Sequence, residues 1–462
     1  MQGMNKVDRI VETLTSDIAS GALPPGRRLP SIRRAAEDME VSKNTVVEAY
    51  DRLASQGLVR AVHGSGFYVA ELSAVAHEPV QPKHMIEAFD QVSLLNAQLN
   101  QDLQVRVGDG RPPLSWMQDA LPQKLTGNFL RRYEGDQTAY GSAWGNIGLR
   151  ELIVQKHRRA GMQASTEQVV TTFGANHAMD LLIRRLLEPG DTVLVDEPGY
   201  YPLFAKLKFA RINYIGVART PNGPDVDQLR QLVRVHQPKM FFTQSRCQNP
   251  TGSAMDLPTA HAVLQTAAMS GMRVVDNDPF FDLPDQKGTP LALMDQFDKV
   301  IAISSYSKLL SASFRVGYLI ASPQVAREIA ELKLVTTVNS SRFSEMLTSD
   351  MIVNRRYQRH LKKMAGRLKE RRHDFLTRIE EMGLSVSDPD GGGYYTFLQM
   401  PDGADEAQIA RNALSRGIFL APGKFFSVKE QSRDAAFRIN LTRADDPRFY
   451  RFLKSEIASL VH

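Results

Sequence analysis

A lysine and an arginine lie seven residues apart in the stretch SSYSKLLSASFRVG, as Lys308 and Arg315. Much earlier in the chain, Gly174-Ala175-Asn176 opens a segment with helical apolar spacing, and a glycine turn at a helix N-terminus binds anions through free N–H groups. A lysine amine can form a Schiff base with an aldehyde, while an arginine and a helix N-terminus can hold a phosphate. Together these residues predict a site for an aldehyde cofactor that carries a phosphate group, with Ser305 on the serine-rich turn beside the lysine.

The elements that must position these residues alternate between short β-rich runs and amphipathic segments. The runs are QVVTTF, DTVLVDE, INYIGV, KMFFTQ, RVVDND and KVIAISS. Such alternation predicts an α/β domain with a mainly parallel sheet, and ligands of such sheets bind at the carboxyl ends of the strands. The glycine turn, the segment QNPTG that begins at Gln248, and the lysine turn each follow one of these runs. All three are therefore placed where a ligand would bind.

An acidic stretch, VVDNDPFFDL, follows the fifth run and occupies residues 274–283. Its carboxylates, Asp276, Asp278 and Asp282, surround Asn277. The residue types alone leave three interpretations open. The stretch could bind a metal, contact a cofactor, or lie in water at the end of a strand.

Composition narrows the classes of function. The chain has 462 residues, 42% apolar and 23% charged, which is ordinary for a soluble globular protein. A single cysteine, Cys247, excludes an internal disulfide framework and a cysteine-based metal site. We find no apolar run of membrane-spanning length and no signal-peptide pattern at the N-terminus. We therefore expect a cytoplasmic protein without a membrane partner. We expect no bound metal either, because no histidine or acidic motif with ligand spacing accompanies the acidic stretch and the neighbouring motifs indicate an organic phosphate instead.

The first seventy residues have a different pattern. Two short helical segments, LPSIRRAAEDM and VSKNTVVEAYDRLASQGL, follow one another closely, and Ser31 and Ser42 are candidate N-caps. The next segment, VRAVHGSGFYV, alternates like a β-hairpin with a glycine-rich tip. Helices followed by such a hairpin predict a winged helix-turn-helix.

This segment resembles the GntR-type winged-helix domain through LPSIRR, VSKNTV, DRLASQGLV and HGSGFYV, in that order. The resemblance implies binding to a specific double-stranded DNA operator. The residues that it places against DNA are Arg33, Lys43, Asn44, Thr45, His63 and Gly64. Lysine and arginine neutralise phosphates, while small polar residues and glycine fit close to the grooves, so the residue types agree with that role.

The sequence predicts three regions. The winged-helix domain occupies residues 1–72, a linker interrupted by Pro79 and Pro82 occupies residues 73–105, and an α/β domain occupies residues 106–462. Within the α/β domain we expect a small C-terminal α/β subdomain over about 345–462.

The α/β region resembles the fold-type I aminotransferases of class I/II across essentially all of residues 106–462, and the complete chain resembles a MocR-type transcriptional regulator. The resemblance implies pyridoxal 5'-phosphate (PLP) as the cofactor and Lys308 as the residue that forms its internal aldimine. The residues that would hold the phosphate are Gly174, Ala175, Asn176, Ser305 and Arg315. Tyr200 in EPGYY would stack on the pyridine ring, and Asn249 in NPTG would hydrogen-bond the ring hydroxyl.

Two further roles follow from the same resemblance. Tyr140 in TAYGSAWG matches a tyrosine that reaches the cofactor phosphate of the partner subunit, which implies a homodimer. Arg438 in FRINL matches an arginine that pairs bidentately with the α-carboxylate of an amino substrate or effector.

The acidic stretch departs from the family pattern. Members usually carry EDDPY here, and an ungapped alignment on Pro279 places Asn277 where an aspartate pairs with the pyridine nitrogen and Phe280 where a tyrosine stands. An amide carries no charge to hold a proton on that nitrogen, so the electron sink is weakened. A shift by one residue would instead present Asp276 or Asp278, but would need a bulge because strand residues alternate between faces.

We therefore expect a DNA-binding regulator that senses PLP or an amino compound through a degenerate aminotransferase domain with weak or absent transaminase activity. Two other functions stay open at this point. The chain could be an active PLP-dependent aminotransferase with a DNA-binding head, or a regulator whose large domain is a dimerisation scaffold without a cofactor.

Overall fold

A computed structural model describes residues 5–62, 64–70, 96, 103–118, 120, 139–428 and 435–460 of the chain. The chain divides into two compact units, residues 1–81 and residues 82–462, which are described separately below. Most of the predicted linker, 73–105, lies outside the described residues. Among the helices of the described residues, none combines the length and apolar character needed to cross a bilayer.

The first unit is a winged helix. Its elements are α1 (Lys6–Ala19), α2 (Ile32–Asp38), α3 (Lys43–Ser55), β1 (Val59–Val62) and β2 (Gly66–Val69). The two strands pair antiparallel, and apolar residues of all three helices and both strands share one core. The predicted N-caps are confirmed, since Ser31 accepts a hydrogen bond from the Arg34 amide and Ser42 accepts one from the Thr45 amide.

An eight-stranded sheet forms the centre of the second unit. Its strands are β3 (Val169–Thr172), β4 (Thr192–Glu197), β5 (Asn213–Thr220), β6 (Gly223–Pro224), β7 (Met240–Thr243), β8 (Arg273–Asn277), β9 (Val300–Ser305) and β10 (Gly317–Ile320). Their order is β3-β10-β9-β8-β7-β4-β5-β6. All six predicted strands are present, and the four central pairings are parallel. The sequence reading did not include β10, which runs antiparallel between β9 and β3.

Helices cover both faces of this sheet, and each face has its own apolar core. The helices of the large subdomain are α4 (Leu114–Met117), α5 (Ile147–Arg159), α6 (Ala175–Leu186), α7 (Tyr201–Phe209), α8 (Val226–His236), α9 (Leu257–Ser270), α10 (Leu291–Asp295), α11 (Pro323–Thr337) and α12 (Arg342–Val353). In β8, Val274 packs into one core and Val275 into the other, as strand alternation requires. By the same alternation, Asp276 shares the face of Val274, and Asn277 shares the face of Val275.

A long helix, α13 (Arg356–Glu380), leads into a smaller α/β subdomain. Its elements are β11 (Ser385–Val386), β12 (Tyr395–Gln399), α14 (Glu406–Ser415), β13 (Ala421–Pro422), β14 (Ala436–Asn440) and α15 (Pro447–Leu460). The four strands form an antiparallel sheet in the order β11-β12-β14-β13. Val105 and Val107, although more than 270 residues earlier in the chain than β11, are buried in the core of this subdomain.

Buried polar groups fix the carboxyl end of β3, where the glycine turn begins. The Lys333 amine is fully buried and donates to the Thr171 carbonyl at 2.7 Å, and burial lowers its pKa to about 8. Glu345 accepts from the Thr171 hydroxyl at 2.6 Å and from the Asn146 amide at 2.7 Å. These contacts hold β3, α5, α11 and α12 together beside the predicted phosphate site.

Candidate functional site

Lys308 lies in the turn after β9, and its amine points toward the small subdomain. Its Nζ donates to the Tyr395 hydroxyl at 3.1 Å and to the Gly110 carbonyl. The Tyr395 hydroxyl also donates to the Gly110 carbonyl, at 2.7 Å. The amine is thus held by residues of two distant segments, and Ser305 is buried beside it at the end of β9.

The predicted phosphate-binding residues meet at the N-terminus of α6. Gly174 is the N-cap, with φ of +80°, and a Cβ there would lie 3.3 Å from an Arg315 guanidinium nitrogen. That guanidinium donates to the Phe173 carbonyl at 2.8 Å. No side chain caps α6, so the first N–H groups of Ala175 and Asn176 have no side-chain partner there. A cation and free helix N–H groups together favour an anion at this position.

Arg438 is nearly fully buried, with 1% of its surface exposed. One guanidinium nitrogen donates to the Gly108 carbonyl at 2.8 Å and another to the Asn249 side-chain oxygen at 3.4 Å. The Tyr395 ring centroid lies 4.7 Å from the guanidinium carbon. No carboxylate pairs with Arg438 among the described residues, so this buried cation is available to an anionic ligand.

Tyr200 and Asn277 line one small cavity together with Gln244 and Asp196. Burial raises the pKa of the Tyr200 hydroxyl to about 12. Asn277 shares the β8 face of Val275, the face that carries Tyr200 and α6. Its backbone carbonyl accepts from the Gln244 amide at 2.9 Å, while its side-chain oxygen is buried without a hydrogen-bond partner in the described chain.

The three carboxylates of the acidic stretch all have partners within the protein. Asp276 accepts from the Ser245 amide at 2.9 Å and from its hydroxyl at 2.7 Å. Asp278 forms a buried ion pair with Arg246 at 2.5 Å. Asp282 pairs with Lys156 at 2.7 Å and accepts from the Tyr357 hydroxyl at 3.0 Å.

These partners answer the question that the acidic stretch raised. Burial raises the pKa values of Asp276 and Asp278, and their hydrogen bonds and the Arg246 guanidinium oppose that shift. Within the described residues, no group of three histidine, cysteine or acidic side chains has metal-binding geometry. The aspartates are thus structural, and Asn277 presents a buried side-chain oxygen that has neither a hydrogen-bond partner nor an ion pair among the described residues.

Phe280 is completely buried and has no hydroxyl to offer the site. Its ring packs edge-on against Tyr394 at 4.8 Å and Tyr395 at 6.0 Å between ring centroids. The aromatic contacts account for a phenylalanine here, since each ring presents apolar surface to the next.

Two groups of predicted residues are not part of this cluster. Tyr140 is 84% exposed, and no hydrogen bond joins it to the other predicted cofactor residues in the described chain. In the winged helix, Arg33, Lys43, Asn44 and Gly64 are exposed and Thr45 is half-buried, while His63 lies outside the described residues. Lys43 and Asn44 occupy the first turn of α3, the position from which a recognition helix contacts bases.

The unpaired polar atoms provide a test of whether PLP fits this cluster. Within the cluster, four side-chain atoms are buried without a hydrogen-bond partner in the described chain: Asn176 Oδ1, Asn277 Oδ1, Ser307 Oγ and Arg438 Nε. Buried polar groups are normally paired, so these four mark a place for a polar ligand. Asn176 lies where the phosphate of PLP is expected and Asn277 where the ring nitrogen is expected. Ser307 is next to Lys308, and Arg438 lies where the carboxylate of an amino effector is expected. The residues therefore fit PLP.

Sequence reasoning missed several groups that contact the predicted site. Tyr395, Gln244 and the carbonyls of Gly108 and Gly110 were not among the candidates. For the two carbonyls, the glycines themselves are the feature of the sequence that could have indicated a close contact. A Cβ at Gly108 would lie 2.5 Å from the Ala421 amide, so a glycine is required where these two backbone segments approach each other.

Comparison with protein families identifies two segments. Residues 104–453 match the model of aminotransferase class I and II, and residues 6–69 match that of the bacterial regulatory proteins of the gntR family. Among curated proteins, the chain is 29% identical to the uncharacterized HTH-type transcriptional regulator YdcR of Escherichia coli, covering 92% of this chain and 93% of that protein. It is 25% identical to the HTH-type transcriptional regulator NorG of Staphylococcus aureus, covering 89% and 95%.

Solved structures show the same fold. A kynurenine aminotransferase from Pyrococcus horikoshii superposes with a TM-score of 0.74 at 24% identity, covering 83% of this chain and 98% of that one. LysN, an α-aminoadipate aminotransferase from Thermus thermophilus solved with N-(5'-phosphopyridoxyl)-L-leucine, superposes with a TM-score of 0.72 at 21% identity, covering 81% and 97%.

The structural role of the acidic stretch generates a stability prediction. Asp278→Asn leaves the Arg246 guanidinium buried without its carboxylate, and we expect the free energy of unfolding to fall by about 3–5 kcal/mol. Asp278→Asn combined with Arg246→Met removes both charges and should recover most of that loss. Denaturant unfolding measures both, with the exposed Asp285→Asn as a control that changes stability by less than about 0.5 kcal/mol. Equal stability of the single variant and the wild type would contradict the assignment.

Proposed function

Because this chain belongs to the class I and II aminotransferase family and carries a gntR-family winged helix in the MocR arrangement, we propose that it is a transcriptional regulator that senses PLP, or an amino compound together with PLP. Its head binds a specific operator, and its body holds the cofactor. The relatives YdcR and NorG are named as HTH-type transcriptional regulators. Their names support a role in transcription regulation, as opposed to a role as a metabolic enzyme, for a chain with these two domains.

The observation that carries the proposal is Asn277. It occupies the β8 face toward Tyr200, while Asp276 and Asp278 are bound by Ser245 and Arg246. An amide at the ring nitrogen can hydrogen-bond but cannot stabilise a positive charge as a carboxylate does. Residues typical of an aminotransferase would thus bind PLP, but no carboxylate at Asn277 would hold a proton on the ring nitrogen, so the ring would withdraw electrons less strongly.

The remaining site residues bind and orient the cofactor. PLP supplies an aldehyde that reacts with amines and a ring that withdraws electrons. Lys308 would bind the aldehyde carbon, Tyr200 would stack on the ring, and Asn249 would hydrogen-bond the ring hydroxyl. The residues that would hold the phosphate are Gly174, Ala175, Asn176, Ser305 and Arg315.

An amino effector would bind beside the cofactor. Arg438 is a buried cation without a carboxylate partner in the described chain, which suits the α-carboxylate of an amino acid. The exposed Tyr140 would complete the site of a partner subunit in a homodimer. The organisation that follows is a DNA-binding head at 1–72, a linker at 73–105 and a PLP-binding body at 106–462.

Cofactor sensing is tested with Lys308→Ala. We expect the wild-type protein to develop a visible absorption band on addition of PLP, and its operator affinity to change by about fivefold or more. The variant should show neither effect, since it lacks the amine that binds the aldehyde. A wild-type protein without the band would indicate a scaffold that holds no cofactor. A band without any change in operator affinity would indicate DNA binding without sensing.

The role of Asn277 is tested by restoring the carboxylate. Asn277→Asp should raise the rate of the half-reaction with amino acids by about tenfold or more, since a barrier lowered by about 1.4 kcal/mol gives tenfold. Asn176→Asp is a matched control, because the same change beside the phosphate should weaken PLP binding instead. Turnover by the wild-type protein at about 1–1000 per second, the ordinary range of enzymes, would favour an active aminotransferase.

The winged helix is tested through the salt dependence of operator binding. Lys43→Ala should reduce the slope of log affinity against log salt concentration by about one unit for each phosphate contact removed. Lys6→Ala is the control, since Lys6 is an exposed lysine of the same unit outside the predicted DNA surface. Equal effects of the two substitutions would contradict the assignment of α3 as the recognition helix.

A further inference from the structure

The segment Val105–Arg111, where the predicted linker ends and the body begins, is here called the strap. Its beginning is tied to the small subdomain, because Val105 pairs with Ile418 in a parallel bridge and the Phe419 amide donates to the Val105 carbonyl at 2.8 Å. The Gly108 amide in turn donates to the Phe419 carbonyl at 2.9 Å. In sequence, the strap directly follows the stretch that leads from the winged helix.

Residues of the candidate cofactor site hold the second half of the strap. Arg438 donates to the Gly108 carbonyl at 2.8 Å. The amine of Lys308 and the hydroxyl of Tyr395 both donate to the Gly110 carbonyl. Two of these three donors are the residues assigned to the effector carboxylate and to the cofactor aldehyde.

Other contacts of the strap do not involve the site. The Asn440 side-chain amide donates to the carbonyls of Asp109 and Arg111, each at 3.0 Å. Asp109 also pairs with Arg106 at 3.2 Å and with Arg443 at 3.4 Å. The middle of the strap, at Asp109 and Arg111, therefore stays attached when the donors of the site bind a ligand. The contacts at Gly108 and Gly110, and the bridge of Val105 to Ile418 beside the linker, are the ones free to change.

A donor that binds a ligand weakens its hydrogen bond to the strap. A Lys308 amine that bound an aldehyde carbon through a C=N bond would give up two N–H hydrogens, which would leave with the aldehyde oxygen as water. The Gly110 carbonyl then loses its lysine donor. A carboxylate that pairs bidentately with Arg438 likewise competes with the Gly108 carbonyl for the guanidinium N–H groups.

We propose that the strap reports occupancy of the site to the DNA-binding head, with Tyr395 as the positioning residue that joins the Lys308 amine, the Arg438 guanidinium and the Gly110 carbonyl. The inference rests on the proposed function, since it requires both PLP binding and operator binding. Ligands shift the strap between two arrangements, one held by Lys308 and Arg438 and one released from them, and each ligand favours the released arrangement by its differential contacts. Chain continuity carries the change toward the head.

A reversible crosslink tests the strap directly. Val105→Cys with Ile418→Cys places two thiols on bridge partners at the end of the strap that the linker joins. The only native cysteine, Cys247, is buried, so the new pair can be followed by the loss of two free thiols on oxidation. Ile418→Cys alone controls for the oxidant and for the smaller side chain.

We expect the oxidised double variant to keep the PLP absorption band and its operator affinity, but to lose the response of that affinity to PLP. The ratio of operator affinities with and without PLP should fall from about fivefold or more to less than about twofold, and reduction should restore it. A full response in the oxidised variant would overturn the inference. A wild-type protein that binds no PLP, or does not respond to it, would instead overturn the proposed function.

A second pair of variants needs no crosslink. Tyr395→Phe removes one donor from the Gly110 carbonyl and should shift the operator affinity of the PLP-free protein toward its PLP-bound value by about twofold or more. Tyr450→Phe is the matched control, since it removes a buried hydroxyl of the same subdomain that donates to the Ala444 carbonyl and makes no hydrogen bond to Lys308, Gly110 or Tyr395. Equal operator affinities for Tyr395→Phe and the wild type would contradict the role given to Tyr395.

Discussion

The buried guanidinium of Arg438 is the constraint around which the site is arranged. A buried charge without a partner of opposite sign is costly, and the described chain supplies no carboxylate for it. Its surroundings compensate with the Gly108 carbonyl, the Asn249 amide and the aromatic rings of Tyr395 and Phe426. These groups come from the strap, from the segment after β7 and from the small subdomain. The Arg438 guanidinium therefore contacts three parts of the body that are distant in sequence.

The same constraint explains why the body is suited to sensing. A cation satisfied by carbonyl groups and rings gains a stronger partner when a carboxylate arrives, because an ion pair in a buried site exceeds a neutral hydrogen bond in strength. The contacts that it gives up belong to the strap. In the proposed function, binding and rearrangement are linked through Arg438, whereas chemistry on the cofactor would depend on a different residue, Asn277. In this proposal, the residue that would bind the effector is therefore different from the residue that would limit its reaction with the cofactor.

In the acidic stretch, an uncharged residue, Asn277, is the one that faces the candidate site. Asp276 points to the opposite face of β8 and is held by Ser245. Asp278, which follows the strand, pairs with Arg246, and Asp282 is held by Lys156 and Tyr357. Each carboxylate stabilises the fold by its own partner. The amide between them faces Tyr200 without a partner in the described chain for its side-chain oxygen.

Local patterns in the sequence determined the winged helix, the six parallel-sheet runs, the helix caps at Ser31 and Ser42, and the glycine turn before α6, because each depends on residues close together in the chain. Tertiary structure alone decided that β10 runs antiparallel between β9 and β3, which partner each aspartate takes, and that the strap joins the small subdomain. The contacts of Lys308 with Gly110 and of Arg438 with Gly108 span 198 and 330 residues. No local periodicity encodes such pairs, since they arise only when the sheet, the small subdomain and the strap have packed against one another.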